Sequence, residues 1–243
     1  MKQIEGRNQV LVGLERNVVN IIYISQSAHG KVIEDIVYKA TEKMVDLRYV
    51  SKYEIDNMSK TRNNQGVIAI LKKWEYYDFN ELLLKLRKKE NPFILVLDHL
   101  KDPHNLGAIL RTADATGVDA VIIPKDRSVE VTPTVTKVSV GATEHIPVIK
   151  VTNIARTIDK LKEKKYWITA ADMDGEKAFF ESDLKGNVGI VIGSEGEGIR
   201  RLVREKCDFI VNIPMKGRIQ SLNASVAASI LMYEVVRQNH GKN

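Results

Sequence analysis

The chain has 243 residues, 44% of them hydrophobic, enough for one large or two modest domains with cores of their own. Its longest apolar runs, such as Phe93–Leu97 and Val188–Ile192, are strand-sized, and the N-terminus has no basic segment followed by a long apolar stretch, so a soluble cytoplasmic protein is expected and not a membrane-bound one. A single cysteine, Cys207, excludes an internal disulfide and a multi-cysteine metal site, while 37 Lys and Arg against 31 Asp and Glu give a formal charge of +6 and a mild bias toward polyanionic partners.

From Ile21 the pattern predicts strand (21–24), helix (32–44), strand (47–50), short helix (53–58) and strand (67–71), which is a small α/β domain. Residues 72–80 mix charge and aromatics without apolar periodicity, so the linker falls there, followed by a lead-in helix over 81–89 and a break at Pro92. The expected division is a substrate-binding domain over 1–72, linker and lead-in helix over 73–91, and a second domain over 92–243. In the second domain the predicted order is strand 93–98, helix 105–116, strands 120–124 and 146–151, helix 154–164, strands 167–171 and 188–193, helix 199–205, strand 209–213 and helix 222–238. Alternation of this kind predicts a largely parallel sheet covered by helices on both faces. Cys207 reads as a structural thiol at a helix end.

Three segments carry chemistry. The first runs from Asp102 to Ala113, where a strand hands over to a helix and ligands of open α/β sheets bind. Asn105 can cap that helix, and Arg111 then lies less than two turns further on; a cap and a solvated arginine account for the pair equally well. The second segment, Ile190 to Ile199, is an apolar strand running into glycines spaced Gly-x-x-Gly-x-Gly. That spacing is neither the dinucleotide nor the phosphate-loop pattern, and Glu195 and Glu197 would repel phosphates, so a cofactor without phosphate fits better. A plain turn whose carboxylates serve the next helix dipole is the alternative. The third segment, Ile213 to Val235, places Ser221 where it can cap a helix crowded with Ala224, Ser225, Ala227, Ala228 and Ser229, which suits a tight helix crossing as much as a functional site.

In order and in wording, these three segments together resemble the SpoU (TrmH-like) branch of the SPOUT RNA methyltransferases over residues 93–238, closest to the group that methylates guanosine 2′-hydroxyls of 23S rRNA. Ile4 to Asn8 and Gln65 to Ala69 are similar to the substrate-binding domain of that group. The resemblance implies a ribosomal-protein-like α/β RNA-binding domain ahead of a trefoil-knotted α/β methyltransferase domain that holds S-adenosylmethionine and works as a homodimer through the knot. It assigns cofactor binding to Gly193, Ile213 and Leu222 with Met215 and Ser221 beside them. It assigns catalysis to Arg111, helped by Asn105, Glu195, Ser221 and Asn223. Arginine is a poor base, with a pKa above about 12, so the role expected of Arg111 is to orient the RNA phosphate and stabilise the developing alkoxide.

His104 belongs to a residue type better suited to proton transfer, although the family motif does not call for it, and His145 reads as structural. Arg7, Asn8 and Gln65 are the candidates for RNA contact. Asn64 stands where relatives often have histidine, and Trp74, Tyr76 and Tyr77 can stack on bases or pack on a domain. The implied reaction is methylation of a ribose 2′-hydroxyl, expected at a guanosine of the peptidyl-transferase region of large-subunit ribosomal RNA; transfer RNA is the near rival, and a non-catalytic RNA-binding protein the rival from another class. No metal is expected.

Overall fold

The computed structural model describes residues 3–72, 74–218 and 221–239. Lys73 of the expected linker and Ile219 and Gln220 of the third segment lie outside them. The chain forms two compact units, Met1–Glu75 and Tyr76–Asn243.

In the first unit, β1 (Gln3–Glu5), α1 (Arg7–Glu15), β2 (Val19–Ser25), α2 (Lys31–Glu42), β3 (Asp46–Val50), α3 (Lys52–Met58) and β4 (Val67–Leu71) follow one another. The sheet order is β1-β4-β2-β3, with β2 parallel to β3 and the β1–β4 and β4–β2 pairs antiparallel. β2 and β4 are rich in Val and Ile, which suit a pleated buried surface, and α2 turns Ile33, Ile36 and Ala40 into the core at helical spacing. α3 starts on a capping box in which Ser51 and Glu54 satisfy each other's backbone amides. β1 and α1 were not among the expected elements. β1 is only three residues long, and the run Val10-Leu-Val-Gly-Leu14 has no clean helical period.

Glu5 of β1 is buried and accepts hydrogen bonds from Ser59 Oγ and the Lys60 amide, both at 2.7 Å, as well as from Gln3 and Thr61. Burial alone pushes this carboxyl up, but hydrogen bonds from Thr61, Ser59, Lys60 and Gln3 outweigh it and set the pKa at about 2. Because the folded value is depressed, the stabilisation is complete above the unfolded value of 4.5 and is lost as pH falls toward about 2. Glu5→Ala leaves those donors without an acceptor and should cost about 2–4 kcal/mol at pH 7. Denaturant unfolding of the two proteins side by side checks this: the gap should narrow as the pH is lowered through 4, and a gap independent of pH would contradict it.

The second unit begins with α4 (Phe79–Leu86), β5 (Phe93–Leu97), α5 (Pro103–Ala115), β6 (Ala120–Pro124), α6 (Pro133–Val138), β7 (Val148–Val151) and α7 (Ile154–Glu163). It continues with β8 (Trp167–Ala171), β9 (Lys177–Ala178), β10 (Val188–Ile192), α8 (Arg201–Arg204), β11 (Phe209–Asn212) and α9 (Ala224–Asn239). Its sheet runs β7-β6-β5-β10-β8-β11-β9, parallel throughout. β5, β6 and β10 are buried along their whole length, as strands covered on both faces must be. Leu82 and Leu86 of α4, Ile154, Ile158 and Leu161 of α7 and Val203 of α8 share one core with the sheet. α5, α6 and α9 form a second group, with α9 also against β10.

Two helices are capped by residues other than those expected. α5 begins at Pro103, and Asp102 caps it by accepting from the His104 amide at 2.9 Å, so Asn105 is not the cap. α9 begins at Ala224, and Asn223 Oδ1 accepts from the Ser225 amide at 2.9 Å, so Ser221 is not the cap either. In both cases a polar residue close by is placed to receive the N2 amide. α6 was not among the expected elements; Thr132 and Pro133 start it as cap and first residue. Cys207 donates to the Val203 carbonyl at 3.3 Å, and burial, followed by the neighbouring Asp208, pushes its thiol up to about 12.

Candidate active site

The buried strand β10 ends at Ile192 and delivers the chain to Gly193. Ser194 and Gly198 then exchange backbone hydrogen bonds of 3.1 and 3.0 Å, closing a tight loop over residues 195–197. Gly198 has a φ of +64°, where side chains are disfavoured. Gly193 lies against the far end of the same loop, so a Cβ there would stand 2.2 Å from the Gly198 carbonyl carbon and 2.5 Å from the Ile199 nitrogen. A second close approach occurs at Gly175, where a Cβ would lie 2.3 Å from the Val211 carbonyl carbon, and Asn212 Nδ2 donates to the Gly175 carbonyl at 2.7 Å. The turn after β8 is thereby held on β11.

Between these loops and the start of α9 is a cavity of about 370 Å³ at the carboxyl ends of β8, β10 and β11. In its wall are Gly193, Ile213, Met215 and Leu222, the four expected cofactor residues, together with Glu195 and Ser221. Asn105 is buried beside it, and its Nδ2 donates to Glu195 Oε1. Asn223 is outside the wall, occupied as the cap of α9. Arg111 is also outside it: the side chain is exposed on α5, without a hydrogen bond or ion pair among the described residues. It lies about 9 Å along the helix from Asn105 and on a different face. His104 is exposed, two turns before Arg111 on the same face.

Sequence reasoning missed Asp172 and Met173, which line the cavity immediately after β8, and Ser194. The available signal was their position just past the carboxyl end of a parallel strand. Among the described residues the wall holds Asp172 and Glu195 but no lysine or arginine, and Ile192, Ile213, Met215 and Leu222 give it apolar surface. Such a wall suits a cationic, phosphate-free nucleoside and opposes a nucleotide polyphosphate. Glu197 is turned to Lys101 at 3.1 Å, and that partner holds its carboxyl below the usual range.

In the first unit the Arg7 amide donates to Gln65 Oε1 at 3.0 Å and its Nε to the Gln65 carbonyl at 3.2 Å, while Asn8 is exposed at the start of α1. The three RNA-contact candidates are thus neighbours. Asn64 is buried as a brace of this turn: Nδ2 donates to Asp56 at 2.9 Å, and Oδ1 accepts from the Gly66 amide at 2.8 Å. Tyr76 belongs to the second unit, where its hydroxyl accepts from the Val131 amide at 3.1 Å and Lys150 stands 4.4 Å from the ring centroid. That ring is packed on its own domain. His145 is exposed, with Nδ1 3.4 Å from an Asp114 oxygen.

Comparison with known proteins agrees with this architecture. Residues 92–233 match the SpoU rRNA methylase family, and residues 3–77 match the RNA 2′-O ribose methyltransferase substrate-binding domain. A Staphylococcus haemolyticus protein assigned to the TrmH family of tRNA/rRNA methyltransferases is 46% identical over 239 residues, 98% of this chain and 96% of the relative. The SpoU methyltransferase AviRb of Streptomyces viridochromogenes, solved with the cofactor AdoMet, superposes with a TM-score of 0.64 at 22% identity over 97% of this chain and 89% of its own. The A. aeolicus TrmH/SpoU tRNA-modifying enzyme gives a TM-score of 0.57 at 30% identity, over 65% of this chain and 83% of its own. With its substrate-binding domain, glycine loop and strand-end cavity, the chain belongs to the SpoU (TrmH) family of RNA 2′-O-ribose methyltransferases.

Proposed function

We propose that the strand-end cavity holds S-adenosylmethionine and that the chain methylates the ribose 2′-hydroxyl of a guanosine in 23S ribosomal RNA. The observation that carries this reading is the meeting of Gly193, Ile213, Met215 and Leu222, from two separate motifs, in one cavity wall without a basic residue. When bound, S-adenosylmethionine supplies an electrophilic methyl on a sulfonium. Main-chain groups at Gly193, Ile213 and Leu222 would hold its adenine, with Met215 as a neighbour. Glu195, fixed by Asn105, and Ser221 would serve the methyl-transfer end of the site together with Asn223, and Arg111 would orient the RNA phosphate and stabilise negative charge developing on the 2′-oxygen.

Arg7, Asn8 and Gln65 contact RNA from the first domain. Ribosomal RNA is favoured over transfer RNA because the match to the tRNA-modifying A. aeolicus enzyme extends over only 65% of this chain, whereas residues 3–77 form a substrate-binding domain. The C-terminal domain is threaded as a trefoil knot, as the family resemblance implies. It pairs with a second copy through α9, whose Val226 and Tyr233 are exposed seven residues apart on one face, while Ala224 and Ala228 are buried within the chain. The enzyme works in the cytoplasm, where its substrate is.

Calorimetric titration with S-adenosylmethionine, and with ATP and NAD as controls, tests the cofactor. Micromolar-range binding of the first alone is expected, followed by ribose methylation of 23S rRNA and not of tRNA transcripts. Absence of S-adenosylmethionine binding would remove the proposal, and methylation of tRNA alone would move the substrate.

A further inference from the structure

Asp98 follows β5 and touches the glycine loop at both flanks. Its amide donates to the Ile192 carbonyl at 2.8 Å, before the loop, and its carboxylate Oδ2 accepts from the Arg200 amide at 2.7 Å, after it. The Asp98 side chain is fully buried, and its second oxygen, Oδ1, is paired with His99 Nδ1. Arg200 is the N-cap of α8, and the carboxylate of Asp98 accepts from its amide, the place that a first-turn carboxylate takes in a capping box, here filled from another element. A buried carboxylate with an unpaired oxygen is costly. His99 pairs it and is itself largely covered, with a side chain 13% exposed.

We propose that Asp98 and His99 are positioning residues for the methyl-donor cavity. One residue grips both ends of the segment from Gly193 to Ile199, and the imidazole keeps the gripping carboxylate oriented and dry. The loop can then hold Gly193 against Gly198, the approach that shapes the cavity wall. His99 has a φ of +59°, a conformation glycine and asparagine adopt readily, so the imidazole can be removed without backbone cost.

The expectation for the donor rests on the proposed cofactor, but the grip itself is measurable without it. Hydrogen exchange at the Arg200 amide should speed up about 10-fold in His99→Gly and more in Asp98→Ala, and stay within about threefold of the parent in His99→Asn, whose amide can still donate to Asp98. In steady-state assays His99→Gly should raise KM for S-adenosylmethionine about 10-fold with kcat changed by less than about threefold, and His99→Asn should restore it. His99→Gly keeps the proposal testable if Asp98→Ala does not fold. Unchanged exchange at Arg200 in His99→Gly would overturn the proposal, as would a loss of kcat at unchanged KM. If exchange responds while the parent protein binds no S-adenosylmethionine, the cofactor reading fails and the grip on the loop stands.

Discussion

Arg111→Ala should lower methyl transfer by about 10³-fold in kcat, with S-adenosylmethionine still binding within about threefold of the parent affinity. The structural basis is that Arg111 supports nothing in its own chain. It is exposed on α5, has no hydrogen bond or ion pair among the described residues and is absent from the cavity wall. Truncation therefore costs little stability and leaves the cofactor contacts in place. Any loss of activity then reports on the RNA and on the charge that develops at the 2′-oxygen. Arg111→Lys should recover only part of the rate, because an ammonium cannot reproduce the planar two-pronged hydrogen bonding of a guanidinium to phosphate. Single-turnover assays at saturating cofactor, paired with calorimetry, separate the two quantities. Lost cofactor affinity with an unaltered single-turnover rate would take Arg111 out of the chemistry and make it part of the donor site.

The exposure of Arg111 also marks where sequence reading stops. The alternation of strands and helices was enough to expect a parallel sheet with its site at the carboxyl strand ends, and β5 and β10 are buried along their whole length, as doubly covered strands are. The same reading placed the caps at Asn105 and Ser221, since several polar residues in a row can each receive an N-terminal amide. Asp102 and Asn223 hold those positions instead. That frees Asn105 to fix Glu195 and leaves Ser221 in the cavity wall, while Asn223 serves the helix. Asp172 and Met173 follow a strand that the sequence does predict, but their place in the site depends as well on the turn through Gly175 docking on β11, a contact 36 residues away in the chain. The sequence reading singled out His104 and did not mention His99, yet His99 meets a buried carboxylate and His104 is exposed.

Gly193→Ala should weaken S-adenosylmethionine binding by about 100-fold or more and destabilise the second unit by about 2–4 kcal/mol. The added methyl would run into the peptide group that joins Gly198 to Ile199, with the carbonyl carbon at 2.2 Å, its oxygen at 2.5 Å and the Ile199 nitrogen at 2.5 Å. None of these is the end of a flexible side chain, so relief requires either opening the Ser194–Gly198 bridge or moving Ile199 out of the core that it shares with Val191 and Val203. Both displace Glu195, and with it the contact to Asn105. Gly196→Ala in the same loop is the control, because its Cβ meets nothing within 4 Å and it should unfold at the parent temperature. Thermal unfolding with and without the cofactor distinguishes the cases. The alanine at 193 should lower the unfolding temperature and lose the upward shift that S-adenosylmethionine gives the parent protein. If that shift persisted in full, the close approach of Gly193 to Gly198 would be a packing detail of the loop, and the donor would be held by the Ile213 and Leu222 side of the cavity alone.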